Sequence, residues 1–475
     1  MTITYLERGV RWLSERTQPR AKGPADSTPN PYLVGTFAPV ETESTAEDLV
    51  VKGHIPENLN GMLARIGPNP FTFPKKPSSY HWFLGDGMVH GVRIANGKAL
   101  WYRSRWLATD PVTKARGQPK VAGPRKGIYQ VVNTNVVGHG GRIWGLVEAG
   151  ALPMELDGEL NSLRHGLFDS EKVTAYSAHP HRDPNTGELH SISYDPLMPY
   201  GVIYQVIDQH CKLVKQVKIP VHFGPMIHDC AITKNHVLVL DLPVRLSFAS
   251  ALKGASLPYS WNTKHPARVG LLPRTGNGKD IRWYETDHCF VFHTCNAFEM
   301  KDGTVIVDVV VHDRVFATSF QGPDSTQTWF ERWRLLPDSG RVQREKLSDL
   351  LQEFPRMDER LTTQFYRYAY TIGLSEKSDT TANHLYRLDT QTGDVLKHSY
   401  GPHRLTEEAV FVPDPDRQEE TAGWLMSYVY DWGRDTSSIV ILDAEDFEGE
   451  PVAEIELPVR VPRGFHCNWI EHIHS

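Results

Sequence analysis

FVFHTCNAFE, at residues 290–299, is followed closely by TVIVDVVVH at 304–312, and both stretches are dense in β-branched and aromatic residues. Runs of this kind, separated by Gly, Asp, Asn and Pro, are typical of short β-strands. The same pattern recurs in GMLARI, VHGVRI, RIWGLVE, GVIYQVID, HVLVLDL, HLYRLD, GWLMSYVYD and SSIVILDA. Together with 37 glycines and 33 prolines, it predicts an all-β, closed architecture.

Four of the 22 histidines lie in or beside strand-like runs in widely separated segments. They are His179 in SAHP, His228 in MIHDCAIT, His293 in FVFHTCNAFE and His466 in PRGFHCNW. A fold that gathers strand ends at a common axis would make them one metal site, because imidazole suits iron, zinc, copper and nickel. A lone histidine is more often a hydrogen-bonded core or surface residue, and no contiguous zinc signature is present. Spacing alone therefore does not identify the site.

Eight motifs, in order, resemble the carotenoid cleavage dioxygenase family over roughly residues 30 to 470. They are LVGTFAPV, IPENLNGMLARIGPNP, GDGMVH, NTNVV, GPMIHDCAITKN, EFPRMD, EEAVFVPDP and FHCNW. The resemblance implies a seven-bladed β-propeller with a lid of helices and loops over its top face and an axial metal site. No WD or kelch repeat is visible, so the number of blades comes from the resemblance alone.

The resemblance also implies the residues of the site. In that family four histidines bind a non-haem Fe(2+), and the four histidines above occupy the matching positions. Three glutamates support the histidines, and the matching residues are Glu148, Glu353 and Glu408. We expect them to pair with His228, His293 and His466 respectively, and we expect His179 to lack a carboxylate. A carboxylate that accepts the Nδ1 proton fixes the tautomer and directs Nε2 at a metal.

Each of these positions also has an ordinary interpretation. Most glutamates are solvated surface residues, although Glu148 and Glu408 adjoin apolar runs, where a carboxylate needs a partner. Glu407 replaces Glu408 if the alignment is off by one residue. Thr134 matches a family threonine whose methyl group crowds one coordination position and limits the opening for dioxygen. Its alternative is an ordinary β-branched strand residue.

The chain divides into three predicted parts. Residues 1–21 have apolar positions at helix spacing, which predicts a docking helix or a membrane-surface anchor. A linker at 22–31 follows, and 32–475 form a single catalytic propeller. Its lid includes about 242–260, an apolar stretch that is either a helix packed on the propeller or the opening of a substrate tunnel.

Composition narrows the class of protein. The net charge is −6 with both signs interspersed, which is not the footprint of a nucleic-acid-binding protein. The five cysteines have no regular spacing and are typical of small buried residues in a reducing compartment. Neither a signal peptide nor an apolar run long enough to span a bilayer is present. We therefore expect a cytoplasmic protein, or one peripheral to a membrane; its oligomeric state stays open.

The resemblance implies that the enzyme uses O2 to cleave a carbon–carbon double bond of a carotenoid or apocarotenoid into two carbonyl products. The absence of GxGxxG agrees with a reaction that needs no nicotinamide or flavin. Relatives that cleave stilbenes or phenylpropenes, of the lignostilbene and isoeugenol type, carry a lysine before the first glutamate and a tyrosine in YRNPFT. Here the first position is Val147, and 103–131 lacks that motif. An apolar polyene is favoured, while a non-oxidative isomerase and a metal-free binding propeller remain alternatives.

Overall fold

The computed structural model describes residues 30–127, 130–319, 323–375 and 378–471, and only the backbone of 378–382. The predicted helix at 1–21 and most of the predicted linker at 22–31 lie outside these ranges. The described residues form seven antiparallel sheets of four or more strands, and neighbouring sheets pack face to face around one axis. The predicted all-β propeller with seven blades is thus confirmed.

Each blade is one of these sheets, numbered here from I to VII. Blade I contains β1 (Thr45–Ala46), β3 (Gly61–Pro68), β4 (Gly87–Ala95), β5 (Lys98–Trp106) and β33 (Cys467–Ile470). Blade II contains β6 (Asn135–His139), β7 (Arg142–Leu146), β8 (Met154–Leu156) and β9 (Ser162–His165). Blade III contains β10 (His181–Arg182), β11 (Leu189–Tyr194), β12 (Gly201–Ile207) and β13 (Leu213–Pro220).

The remaining blades follow in chain order. Blade IV contains β14 (Cys230–Ile232), β15 (His236–Asp241), β18 (Arg268–Pro273) and β19 (Arg282–Glu285). Blade V contains β20 (Thr294–Glu299), β21 (Val305–His312), β22 (Thr328–Leu335) and β23 (Gln343–Ser348). Blade VI contains β24 (Gln352–Arg356), β25 (Tyr368–Ser375), β26 (Ser378–Asp389) and β27 (Val395–Ser399). Blade VII contains β2 (Val51–Gly53), β28 (Arg404–Thr406), β29 (Val410–Pro413), β30 (Gly423–Asp431), β31 (Thr436–Asp443) and β32 (Ala453–Glu456).

Strands from both chain ends close the ring. β33 pairs antiparallel with β3, with Arg65 opposite Cys467. In the other direction, β2 from the N-terminal part pairs with β32 of blade VII. Closing the circle joins the first and last blades, and it places the segment before β33 at the centre of the molecule.

The apolar runs in the sequence correspond to strands that are buried on both faces. All eight residues of β21 are buried, because blades IV and VI cover the two faces of blade V. In outer strands such as β5, buried residues instead alternate with partly exposed ones over 102–106. The largest apolar cluster runs continuously through blades III, IV and V. Packing between the blades therefore fixes the positions of the innermost strands.

A hairpin of β16 (Val244–Leu246) and β17 (Tyr259–Trp261) is inserted in blade IV, and it encloses the short helix α2 (Phe248–Leu252). Helix α1 (Asp110–Ala115) follows β5. The Met226 N–H donates to the Val244 carbonyl at 3.2 Å, so the hairpin lies beside the segment that leads to His228. Among the described residues, no helix is long and apolar enough to cross a bilayer.

A buried ionic cluster anchors this insertion. Asp241, at the end of β15, is fully buried and contacts Arg245 of β16 and Arg268 of β18. Burial alone would raise the pKa of Asp241, but His265 and the two arginines lower it to about 2. A depressed folded-state pKa stabilises the fold above the ordinary carboxyl pKa, and this stabilisation is lost as pH falls toward the folded value.

We expect Asp241→Asn to lower the free energy of unfolding near neutral pH by about 2 kcal/mol. The gap between the two melting temperatures should narrow as pH falls from about 5 to about 2.5, because the carboxyl group is then protonated in the unfolded chain before it is protonated in the folded protein. Thermal melts followed by circular dichroism measure this gap, with the exposed Asp338→Asn as control. A gap that is independent of pH would contradict the assignment.

Candidate metal centre

Every blade contributes one of the predicted residues at or next to its innermost strand. They are Thr134 before β6, His179 before β10, His228 before β14, His293 before β20, Glu353 in β24, Glu408 between β28 and β29, and His466 before β33. Innermost strands of a propeller run in the same sense along the axis, so these positions meet at one level. Glu148 is the exception, because it follows the second strand of blade II, beside the start of β6.

The four histidines meet at the axis. Their ring centroids lie 4.4 Å apart for His179 and His228 and 4.9 Å apart for His293 and His466. One nitrogen from each ring lies within 4.8 Å of the others. The Nε2 of His179 is buried without a hydrogen-bond partner, and the Nε2 atoms of His293 and His466 are 3.2 Å apart.

Three of the four rings form a hydrogen bond with a carboxylate through Nδ1. The distance from Nδ1 to a carboxylate oxygen is 2.9 Å for His228 and Glu148, 2.7 Å for His293 and Glu353, and 3.2 Å for His466 and Glu408. These are the pairs expected from the sequence.

The hydrogen bonds assign the tautomers. An ionised carboxylate only accepts, so Nδ1 carries the hydrogen in each of the three paired rings, and Nε2 of the neutral ring is a bare lone pair. The Nε2 atoms of His293 and His466 face each other at 3.2 Å, so two lone pairs meet when both rings are neutral. A metal ion bound by both atoms, or a proton shared between them, removes this repulsion.

The donor set and its spacing fit a first-row transition metal. Two nitrogens bound at about 2.1 Å in perpendicular directions lie about 3 Å apart, close to the separation of His293 and His466. Neutral imidazole donors suit iron, zinc, copper or nickel better than they suit calcium or magnesium. The four histidines would hold the ion, and the carboxylates would orient them.

Burial and pairing with carboxylates shift the pKa values of these groups in different directions. Burial, followed by the neighbouring imidazoles, holds the pKa of His179 well below its ordinary value, so the ring is neutral. Burial alone would raise the pKa of Glu353 and lower that of His293. Pairing outweighs it, and the pKa of Glu353 falls while that of His293 rises. Arg356 and His466 likewise overcome burial and lower the pKa of Glu408 to about 2.

Two of the carboxylates precede residues with left-handed backbone. Ala149 has φ of 59° and Phe354 has φ of 53°, conformations that are uncommon outside glycine. At Phe354 the bend aims the backbone N–H at the Glu353 carboxylate and stacks the phenyl ring on His293, with centroids 4.9 Å apart. The left-handed backbone at Phe354 thus helps to position Glu353 and His293.

Thr134 and Glu407 have distinct positions. The backbone carbonyl of Thr134 accepts from the His466 N–H at 3.3 Å, and its hydroxyl donates to Asn133 at 3.0 Å. The side chain therefore stands in blade II, between the blades that hold His466 and His179. Glu407 contacts buried Arg65 instead of a metal-facing ring, so the geometry favours Glu408 over its neighbour as the partner of His466.

A belt of polar cross-links next to the histidines was not anticipated from the sequence. Asn468 links Arg356 at 3.1 Å to Asn135 at 2.8 Å, and Asn135 donates to the Ala178 carbonyl at 2.8 Å. These bonds connect blades VI, I, II and III.

A second part of the belt links blades III, IV and V. Asp229 accepts from His181 at 2.8 Å and from the Thr294 hydroxyl at 2.9 Å. In the sequence, Asn135, Asp229 and Asn468 lie within two positions of a predicted site residue, in NTNVV, MIHDC and HCNW, and this proximity was the available signal.

Comparisons with known proteins agree with this geometry. Residues 37–471 match the family model described as retinal pigment epithelial membrane protein. The chain is 40% identical to a carotenoid cleavage oxygenase of Mycobacterium tuberculosis, over 94% of this chain and 98% of that protein. It is 33% identical to carotenoid 9,10(9',10')-cleavage dioxygenase 1 of Phaseolus vulgaris, over 94% and 90%. The crystal structure of Pseudomonas brassicacearum lignostilbene dioxygenase superposes with a TM-score of 0.84 at 26% identity, over 95% of this chain and 100% of that one.

Adjacent glutamates provide a matched test of the carboxylate role. Glu408→Gln should weaken metal affinity by about 10- to 100-fold, because the amide no longer fixes the His466 tautomer. Glu407→Gln should leave the affinity unchanged but lower the melting temperature, because it leaves Arg65 buried without its partner. Competition with a chromophoric chelator measures the affinities. Equal losses of affinity in both variants would contradict the assignment.

Proposed function

This chain belongs to the carotenoid oxygenase family, that of the retinal pigment epithelial membrane protein. We propose that it is an iron(II)-dependent dioxygenase that acts on an apolar carotenoid or apocarotenoid. The enzyme is an oxidoreductase that cleaves a carbon–carbon double bond. The observation that supports the metal most directly is the meeting of four imidazoles at the axis, three of them paired with carboxylates.

Bound iron(II) supplies the redox chemistry with O2, and because both oxygen atoms enter the two carbonyl products, no external reductant is needed. The four imidazoles would hold the ion without cancelling its charge. The carboxylates behind them would balance part of that charge. Positions around the ion that these side chains do not occupy would be open to dioxygen.

Thr134 is proposed to restrict one of these positions. Thr134 precedes the innermost strand of blade II, as His466 does in blade I and His179 does in blade III. Its hydroxyl is engaged by Asn133, so the side chain offers no free donor to a ligand. A β-branched side chain there limits the opening without competing as a ligand.

Aromatic residues next to the ligands provide an apolar wall. The Phe292 ring is 5.3 Å from the His228 ring, and Phe465 immediately precedes His466. The ring centroids of Phe465 and Phe83 are 5.5 Å apart, and those of Phe83 and Phe316 are 6.4 Å apart. Such a wall excludes water and suits a conjugated hydrocarbon.

The environment of Val147 supports a polyene over a hydroxystilbene. The side chain is 7% exposed and belongs to an apolar cluster with Leu107, Val132 and Ala151. The valine side chain offers neither charge nor hydrogen-bond donor to hold a phenol. The structural likeness to a lignostilbene dioxygenase keeps stilbene cleavage as the second candidate, but this position does not favour it.

An exposed apolar patch beside the lid supports contact with a lipid surface, from which an insoluble polyene would enter. Phe248 and Leu252 of α2 are 67% and 70% exposed, and Tyr200 is 64% exposed. Phe223 joins them, with ring centroids 5.4 Å from Tyr200 and 5.7 Å from Phe248. Contiguous exposed aromatic and aliphatic groups of this kind are typical of interaction sites. A cytoplasmic protein that binds membranes peripherally fits this surface.

Aerobic incubation of the iron-loaded protein with a carotenoid, an apocarotenal and a resveratrol-like hydroxystilbene tests the substrate class, with products identified by mass. The wild type should cleave the polyene aldehyde faster than the hydroxystilbene. Val147→Lys should slow polyene cleavage, because a buried cation must be desolvated without a partner, whereas Val147→Ile should not. Preference for the hydroxystilbene would contradict the proposal, and turnover without O2 would indicate an isomerase instead.

Sedimentation with anionic and neutral phospholipid vesicles tests the lid patch. The double variant Phe248→Glu and Leu252→Glu should lose vesicle binding, because two charges replace the most exposed apolar groups of α2. The control is Phe365→Glu, which alters a phenyl group that is 53% exposed near blade VI. The patch has no such role if the double variant still binds as the wild type does.

A further inference from the structure

Glu353 is held from two sides. Its Oε2 accepts from His293 Nδ1 at 2.7 Å, and its Oε1 accepts from His312 Nε2, also at 2.7 Å. His312 is the last residue of β21 and is 4% exposed. Its backbone is fixed on Phe290 by two hydrogen bonds, of 2.8 and 3.0 Å. The imidazole is therefore mounted on the rigid core of blade V.

The hydrogen bonds also orient the His312 ring. Because the carboxylate only accepts, His312 Nε2 carries the hydrogen. The Ser325 hydroxyl, 3.0 Å from Nδ1, is placed to donate to the other nitrogen of the ring. One chain of hydrogen bonds thus runs from Ser325 through His312 and Glu353 to His293.

The other two carboxylates are anchored differently. Glu408 accepts from the Cys467 N–H at 2.7 Å and contacts the Arg356 guanidinium at 3.3 Å. Glu148 is more open, with a side chain that is 14% exposed. Glu353 has a side chain only 6% exposed, and His312 is the side-chain partner of its second oxygen.

Removing His312 would take away the side-chain donor of that oxygen. The Phe292 ring lies 5.0 Å from the His312 ring, and a buried carboxylate oxygen without a donor is costly. The carboxylate would then turn toward other donors and release its bond to His293. The orientation of a metal-facing ring therefore depends on a residue that faces away from the axis.

We propose that His312 is a positioning residue for the metal centre. It holds Glu353 in the orientation that keeps the proton on Nδ1 of His293 and directs Nε2 of His293 at the metal. The inference rests on the proposed function, since it assumes that the four histidines bind a metal.

The test compares variants that place a donor differently. In His312→Gln the side-chain amide nitrogen takes the place of Nε2 and can donate to Glu353. In His312→Asn the amide nitrogen lies near the position of Nδ1, too far from Glu353 to donate. We expect metal affinity to fall about tenfold in the Asn variant, the lower end of the range for partners of metal ligands, and to stay within about threefold of the wild type in the Gln variant. His398→Asn, which changes a buried imidazole in blade VI, is the control.

Two readouts separate positioning from loss of structure. Chelator competition with Co(II) or Fe(II) gives the affinity, and the visible spectrum of the Co(II) protein reports the ligand geometry. The Asn variant should bind more weakly with an altered Co(II) spectrum, and the Gln variant should retain the wild-type spectrum. Wild-type affinity and spectrum in the Asn variant, or equal losses in both variants, would overturn the role of His312. A wild type that binds neither metal would overturn the proposed function instead.

Discussion

Bare imidazole nitrogens face one another at the axis, and the rest of the structure is needed to keep them there. Two Nε2 lone pairs at 3.2 Å repel unless a metal ion or a proton lies between them, so other contacts must hold the four rings together. Ring closure by β33 supplies the first of these contacts, because it brings His466 from the chain end to the centre. Packing between blades supplies the others, since each metal-facing histidine adjoins the innermost strand of a different blade.

Charge is arranged in two shells around this point. Three carboxylates contact the imidazoles, and two of them are held in turn by a further group, Glu353 by the imidazole of His312 and Glu408 by the guanidinium of Arg356. The polar belt through Asn135 and Asn468 then joins neighbouring blades. Few of these groups can move independently, which favours a preorganised site over one assembled by the substrate.

The sequence allowed the strands, the closed all-β class and the histidine–carboxylate pairs to be predicted, the last only because local motifs resembled a known family. Spacing could not have paired Glu148 with His228, because they lie in different blades and Glu148 does not adjoin an innermost strand. His312 was equally hidden, since it ends an apolar run and contacts no metal-facing ring. The left-handed backbone at Phe354 has no sequence signal, because a phenylalanine rarely adopts it. Such features arise from tertiary packing, which local patterns do not record.

X-ray absorption spectroscopy of the ferrous protein measures whether four imidazoles from four blades bind one ion. We expect about four nitrogen scatterers at about 2.0 to 2.3 Å, with the outer-shell multiple scattering of imidazole rings, at about one iron per chain. His179→Ala should remove one imidazole from this pattern. Coordination dominated by carboxylate or water oxygens, or iron bound with fewer than three imidazoles in the wild type, would contradict it.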